Sequence, residues 1–192
     1  MLAHPAVLTG RVLPRSTVAT VLAVVGFAAL TAMAAQIAIP LPFTPVPITG
    51  QTLVVLLSGA ALGSRAGASS QMLYVLVGAV GAPIYAEGAG GWEAATGATA
   101  GYLVGFVAAA YVVGLLAERK QDRTFASSLP AFLLGSVIIY AIGITWLMRF
   151  LEVDFAVALG LGFAPFVVGD LIKLLIAAGA TPLAWRLVGK NT

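Results

Sequence analysis

The chain contains no cysteine, which excludes a disulfide framework, a thiolate metal site and a cysteine nucleophile. Its single histidine, His4, lies in the leader before the first apolar run. Histidine general-base catalysis and an H-E-x-x-H zinc site therefore have nothing to be built from. Charge is equally scarce. Asp, Glu, Lys and Arg make up 9% of 192 residues, against about 25% in an ordinary soluble domain. So few charges cannot wet the surface of a globule, and most of the chain must face something apolar. The G-x-x-x-x-G-K-[ST] string that cradles ATP phosphates does not occur. The basic residues are not interleaved with aromatics, so no nucleic-acid partner is expected. No motif asks for a metal or other cofactor.

What is present is hydrophobic: 60% of the residues. The charges divide this material into runs. Positions 16–64 carry no charge, more than twice the ~20 residues one span needs. Pro40, Pro42, Pro45 and Pro47 split that run. Proline removes a backbone donor and breaks helices, which predicts a turn or irregular loop there. Charge-free intervals also follow 65, 93 and 123, and a further apolar stretch covers 155–185. The prediction is an all-α integral membrane domain over 1–192, with a leader over 1–16. Six transmembrane helices are expected near 17–39, 48–62, 66–82, 98–117, 129–148 and 165–188. The first run is expected to be a retained span. It is longer than a signal-peptide core, and no small-residue cleavage site follows it.

An even number of spans returns both termini to one side. Arg11, Arg15, Arg65, Arg119, Lys120, Arg123, Arg186 and Lys190 fall on that side. The opposite loops hold Arg149 with Glu87, Glu93, Glu152 and Asp154. Lysine and arginine favour the cytoplasmic face, which predicts cytoplasmic termini in the cell membrane.

Four features could carry chemistry. Asp170 and Lys173 are ionisable residues inside the sixth span, and their i,i+3 spacing puts them on one helix face. A charge in the bilayer core costs at least about 2.5–3.5 kcal/mol, so such residues face a protein interior or a wet cavity. They are read as ligand contacts. The competing reading is a salt bridge that only locks the helix to its neighbours. The stretch PLPFTPVPI (40–48), with Phe43, Thr44 and Pro45 at its centre, is stiffer and longer than a connector needs, and is read as a lid. The segment 83–101 holds Tyr85 and Trp92 among glycines that let backbone approach a ligand. The two aromatics could stack on a small ring or anchor at the membrane interface. On the first helix, Ala28 and Ala32 form a small face suited to close helix approach, as a docking face or inside the chain.

The strings FAALTAMAAQIAIPLPFTPVPITGQTL (27–53), SQMLYVLVGAVGAPIYA (70–86), GYLVGF (101–106) and PFVVGDLIK (165–173) occur in order. Together they resemble the BioY family, the substrate-binding S components of energy-coupling factor (ECF) biotin transporters. Ala100 stands where that pattern has a glycine, and Glu87–Ala89 occupies a loop that is glycine-richer in the pattern. The resemblance implies an S-component bundle that captures biotin from outside. It implies ligand contacts at Asp170 and Lys173, with Tyr85, Gln51, Trp92 and Tyr102 as further candidates. It also implies docking of the Ala28–Ala32 face on a transmembrane coupling subunit, which works with ATPase subunits. The alternatives are a solitary small-vitamin facilitator and a membrane-embedded enzyme. The enzyme would need a nucleophile and base that the spans lack.

Overall fold

A computed structural model of the chain describes residues 6–14 and 16–189. His4, Arg15 and Lys190 lie outside the described residues. The described residues are mostly helical, with one small hairpin among them. After a short α1 (Leu8–Val12), α2 spans Thr17–Ala35, capped by the Ser16 hydroxyl accepting from Ala19 N–H at 3.1 Å. Then come strands β1 (Ala38–Leu41) and β2 (Thr44–Thr49), and helices α3 (Gln51–Leu62) and α4 (Ser64–Ala79). A loop with the short α5 (Trp92–Ala95) leads to α6 (Ala100–Glu118) and α7 (Phe125–Leu151). The chain closes with α8 (Phe155–Gly162) and α9 (Val167–Gly189). Among the described residues, four helical stretches are long and apolar enough to cross a membrane: Thr17–Ala35, Ala100–Glu118, Phe125–Leu151 and Phe155–Val188. The shorter α3 and α4 complete the bundle.

The proline-rich stretch corrects the expectation of an irregular loop. It forms an antiparallel two-stranded hairpin, pairing Ala38 with Thr49, Ile39 with Ile48 and Leu41 with Thr44. A two-stranded ribbon consists of edges, and proline is tolerated at an edge, where its missing N–H faces outward. The register shifts between Ile39 and Leu41, at Pro40. The hairpin also takes residues from both flanking helices. The first helix stops at Ala35, short of 39, and the second starts at Gln51 instead of 48. The fifth helix starts at Phe125, ahead of 129, because Thr124 and Ser127 form a reciprocal capping box.

α6 is the centre of the bundle and packs on α3, α4 and α7. Glycines set how closely it approaches. A Cβ on Gly59 of α3 would lie 2.5 Å from the Ala110 carbonyl oxygen, and one on Gly114 would lie 2.3 Å from the Ser64 nitrogen. The turn between α3 and α4 passes through Gly63 at φ 84°, a left-handed conformation suited to glycine. Just beyond it, the Glu118 carboxylate accepts from both the Ser64 N–H and its hydroxyl at 2.8 Å. A negative charge there complements the α4 N-terminus. The outward faces are apolar: Val18, Leu22 and Met33 of α2 and Val168 of α9 are each about two-thirds or more exposed. Such a surface matches hydrocarbon, and helices that satisfy their own backbone can present it to lipid.

Contacts between distant segments define the two ends of the bundle. Thr9 of α1 donates to the Ala61 carbonyl, Glu118 caps Ser64, and Arg123 donates to the Ala6 carbonyl. These contacts put α1, the 63–65 turn and the 118–124 loop at one end. At the other, Thr44 donates to the Leu161 carbonyl and the Trp146 indole to the Gly97 carbonyl.

Candidate functional site

A cavity opens between the hairpin, the first turn of α3 and helices α4, α6, α7 and α9. Its empty space is about 610 Å³, part of it continuous with solvent. The walls are mostly aromatic and aliphatic, including Tyr74, Tyr85, Tyr102, Phe106 and Phe166. The rings are held by partners in the protein. The Tyr102 hydroxyl donates to the Gly162 carbonyl at 2.8 Å, and Tyr74 meets Tyr85 edge to face at 5.5 Å. Gln51, on the first turn of α3, donates its amide to the Tyr74 hydroxyl at 2.8 Å. Tyr74 in turn donates to the Ile84 carbonyl. Burial raises the Tyr85 phenol above its ordinary pKa, so it stays a donor at neutral pH, bonded to the Val75 carbonyl.

One wall is polar. The α9 helix brings Asp170 and Lys173 into the cavity with side chains 12% and 16% exposed. The ammonium donates to Asp170 Oδ1 at 2.6 Å, to the Thr49 carbonyl at 2.6 Å and to the Thr52 hydroxyl at 3.2 Å. Thr52 donates to Asp170 Oδ1, and the Tyr140 hydroxyl donates to Asp170 Oδ2. Tyr140 is braced edge to face by Tyr102 at 6.2 Å and Phe163 at 4.9 Å. The charge pair thus sits inside a web contributed by β2, α3, α7 and α9.

Five of the six expected ligand contacts meet at this cavity: Asp170, Lys173, Tyr85, Gln51 and Tyr102. Trp92 does not. It is 74% exposed on α5, a setting that suits an interfacial anchor. The three residues at the centre of the expected lid also stay outside the lining. Phe43 and Pro45 face outward, and buried Thr44 ties the hairpin to Leu161. The strand after them, through Val46, Pro47 and Thr49, is what borders the cavity. A further correction concerns the small face of α2. Ala28 is 7% exposed within the main core and Ala32 is half-buried against it, so this face packs inside the chain. Small residues let α2 approach α4 closely, which is the same property that would serve a partner.

Sequence reasoning missed Thr49, Thr52, Tyr74 and Tyr140. Tyr140 gave no signal, being an uncharged aromatic in an apolar span 30 positions from Asp170. Thr52 and Tyr74 fall within the recognised strings, but only the fold aims them at the cavity.

The BioY family model matches residues 9–190. The biotin transporter BioY of Thermotoga maritima is 45% identical over 152 residues, covering 79% of this chain and 87% of that protein. The probable biotin transporter BioY of Pyrococcus horikoshii is 40% identical over 165 residues, 86% and 93% of the two chains. A crystal structure of the S-component for biotin from an ECF-type ABC transporter superposes with a TM-score of 0.81 at 23% identity. It covers 88% of this chain and 92% of that one, a likeness of fold.

Proposed function

The chain belongs to the BioY family, and from that premise we propose that it captures biotin in the cavity between β2, α3, α7 and α9, as the substrate-binding subunit of an uptake system. The observation that carries this reading is the half-enclosed aromatic cavity with an intramembrane Asp170–Lys173 pair in its wall. Biotin has a compact bicyclic ring, a ureido group with two N–H donors and one carbonyl, and a carboxylate tail. The tyrosines and Phe106 offer the ring apolar faces, and the polar wall offers the ureido group hydrogen bonds. Gln51, Tyr85 and Tyr102 complete the proposed contacts, and the hairpin is a lid through its β2 strand. The chain is a transporter component and no enzyme.

Energy must come from elsewhere, since no ATP-cradling motif is present. A transmembrane coupling subunit with ATPase subunits supplies it in this reading. The end carrying Arg11, Arg65, Arg119, Lys120 and Arg123 faces the cytoplasm, which supports cytoplasmic termini and an outward-facing hairpin.

Equilibrium titration of biotin against the purified chain, and against the double variant Asp170→Asn with Lys173→Met, tests the site. The double variant buries no unpaired charge, so it should fold. It should bind biotin at least tenfold more weakly than the parent. Near-parental affinity would mean the two charges only neutralise each other.

A further inference from the structure

The basic end of the bundle is short of acid. Among the described residues it carries Arg11, Arg65, Arg119, Lys120, Arg123 and Arg186 against Glu118 and Asp122. Both carboxylates are engaged inside the protein. Glu118 accepts from the Ser64 N–H and hydroxyl at 2.8 Å. Asp122 is 2% exposed, accepts from the Trp185 indole at 2.6 Å and lies 3.3 Å from Arg123. The Arg123 guanidinium lies over the Trp185 ring, 3.2 Å from its centre, and donates to the Ala6 carbonyl at 2.6 Å. The fold then sets a second cation near it. Burial lowers the Arg123 pKa, Asp122 raises it, and the charge of Arg11 lowers it again. Arg11 itself is exposed and has no acid partner among the described residues. Two neighbouring cations thus share one buried carboxylate, and like charges repel. An anion from outside the chain relieves that repulsion.

The depth of these cations says which anion. Arg11 lies just before the apolar span Thr17–Ala35, Arg123 just before Phe125–Leu151, and Arg186 at the close of Phe155–Val188. Cations at span ends sit at headgroup level. At the same end Val12, Leu183 and Leu187 are each more than half exposed, and α1 packs on α9. Phosphate-seeking cations beside exposed aliphatic side chains match the two halves of a phospholipid. We propose that the junction of α1, the 118–124 loop and α9 binds an anionic phospholipid, with its phosphate at Arg11 and Arg123 and its acyl chains along the aliphatic side chains. A guanidinium has five N–H donors. Arg123 gives one to Ala6 and is 28% exposed, so it has donors left for a phosphate. A phosphatidylcholine headgroup suits the site less well, because its choline brings a cation back to Arg11. The bound lipid is a structural ligand. It fastens α1, whose Val7 is buried with Leu56, Phe132 and Leu174, to the inner end of α9.

Native mass spectrometry of the purified full chain, from micelles holding equal phosphatidylglycerol and phosphatidylcholine, tests this. The parent should retain phosphatidylglycerol in preference. Phosphatidylglycerol should also raise its melting temperature by several degrees over phosphatidylcholine, as a ligand of the folded state does. Arg11→Gln should lose both the preference and the gain. Arg149→Gln, which removes the same charge at the hairpin end, should keep both. No preference in the parent overturns the proposal. Equal losses in the two variants also overturn it, since they would show diffuse attraction between net charges. Inorganic phosphate added to phosphatidylcholine micelles distinguishes the source of the anion. If phosphate alone reproduces the gain, the site takes a free anion and the lipid assignment falls. Biotin affinity should be unchanged in Arg11→Gln, which is remote from the cavity, and a loss there would mean that Arg11 serves the ligand site instead.

Discussion

At the residue scale, the Asp170 carboxylate depends on donors from two other elements, Thr52 of α3 and Tyr140 of α7, and on Lys173 of its own helix. Tyr140 is the most informative to remove, because Tyr140→Phe keeps the ring against Tyr102 and Phe163 and deletes only the hydroxyl. A hydrogen bond to a charged group contributes about 1.5–3 kcal/mol. Biotin affinity should therefore fall about tenfold in titration, and the melting temperature should fall with it. Parental affinity would make Tyr140 a bystander. A second residue-scale effect lies at the basic end. Asp122 is 2% exposed, accepts from the Trp185 indole at 2.6 Å and lies 3.3 Å from Arg123. The Arg123 guanidinium also stacks on the Trp185 ring. Burial raises the Asp122 pKa above 3.8, and the indole and Arg123 only partly offset it. A raised carboxyl pKa contributes stability at low pH that is lost as pH rises through the folded value. Acidification toward the raised Asp122 pKa should thus stabilise the parent relative to Asp122→Asn, as read by paired melting curves. A gap that shrinks in that direction would contradict the burial argument.

At the element scale, the packing of α6 on the α3–α4 turn has no slack. Gly114→Ala puts a Cβ against backbone at 2.3 Å, and overpacking of this kind costs about 1–3 kcal/mol. Its melting temperature should drop by several degrees. Gly179→Ala in α9 meets nothing within 4 Å and should leave melting unchanged or slightly raised, since alanine favours helix. Equal effects would mean the two approaches are equally loose. The hairpin is the other element to watch. It is held by Thr44 to Leu161 and by Lys173 to Thr49, so saturating biotin should slow amide exchange over 44–49. Unchanged exchange there would remove the lid role.

At the scale of the whole molecule, orientation is testable because the chain lacks cysteine. Phe43, at the hairpin tip, and Gln121, at the basic end, are both exposed. In intact cells an impermeant thiol reagent should label Phe43→Cys and spare Gln121→Cys until the membrane is opened. The reverse pattern would invert the topology.

The sequence by itself determined the class of molecule. Charge scarcity and charge-free runs dictate a membrane bundle, because a hydrocarbon solvent filters composition before it filters contacts. That Asp170 and Lys173 face inward was legible for the same reason: a charge in a span must turn away from lipid. The four ordered strings made the family legible. Only the tertiary structure decided which uncharged residues join that pair. Tyr140, Thr52 and Thr49 carry no composition signal, and their role comes from α7, α3 and β2 converging on α9. It also turned Ala28 inward and Trp92 outward, since a small or aromatic residue suits either setting and only the packing partner selects one. The hairpin was hidden by its prolines, whose local rule forbids helix and central strand but says nothing against a two-stranded edge.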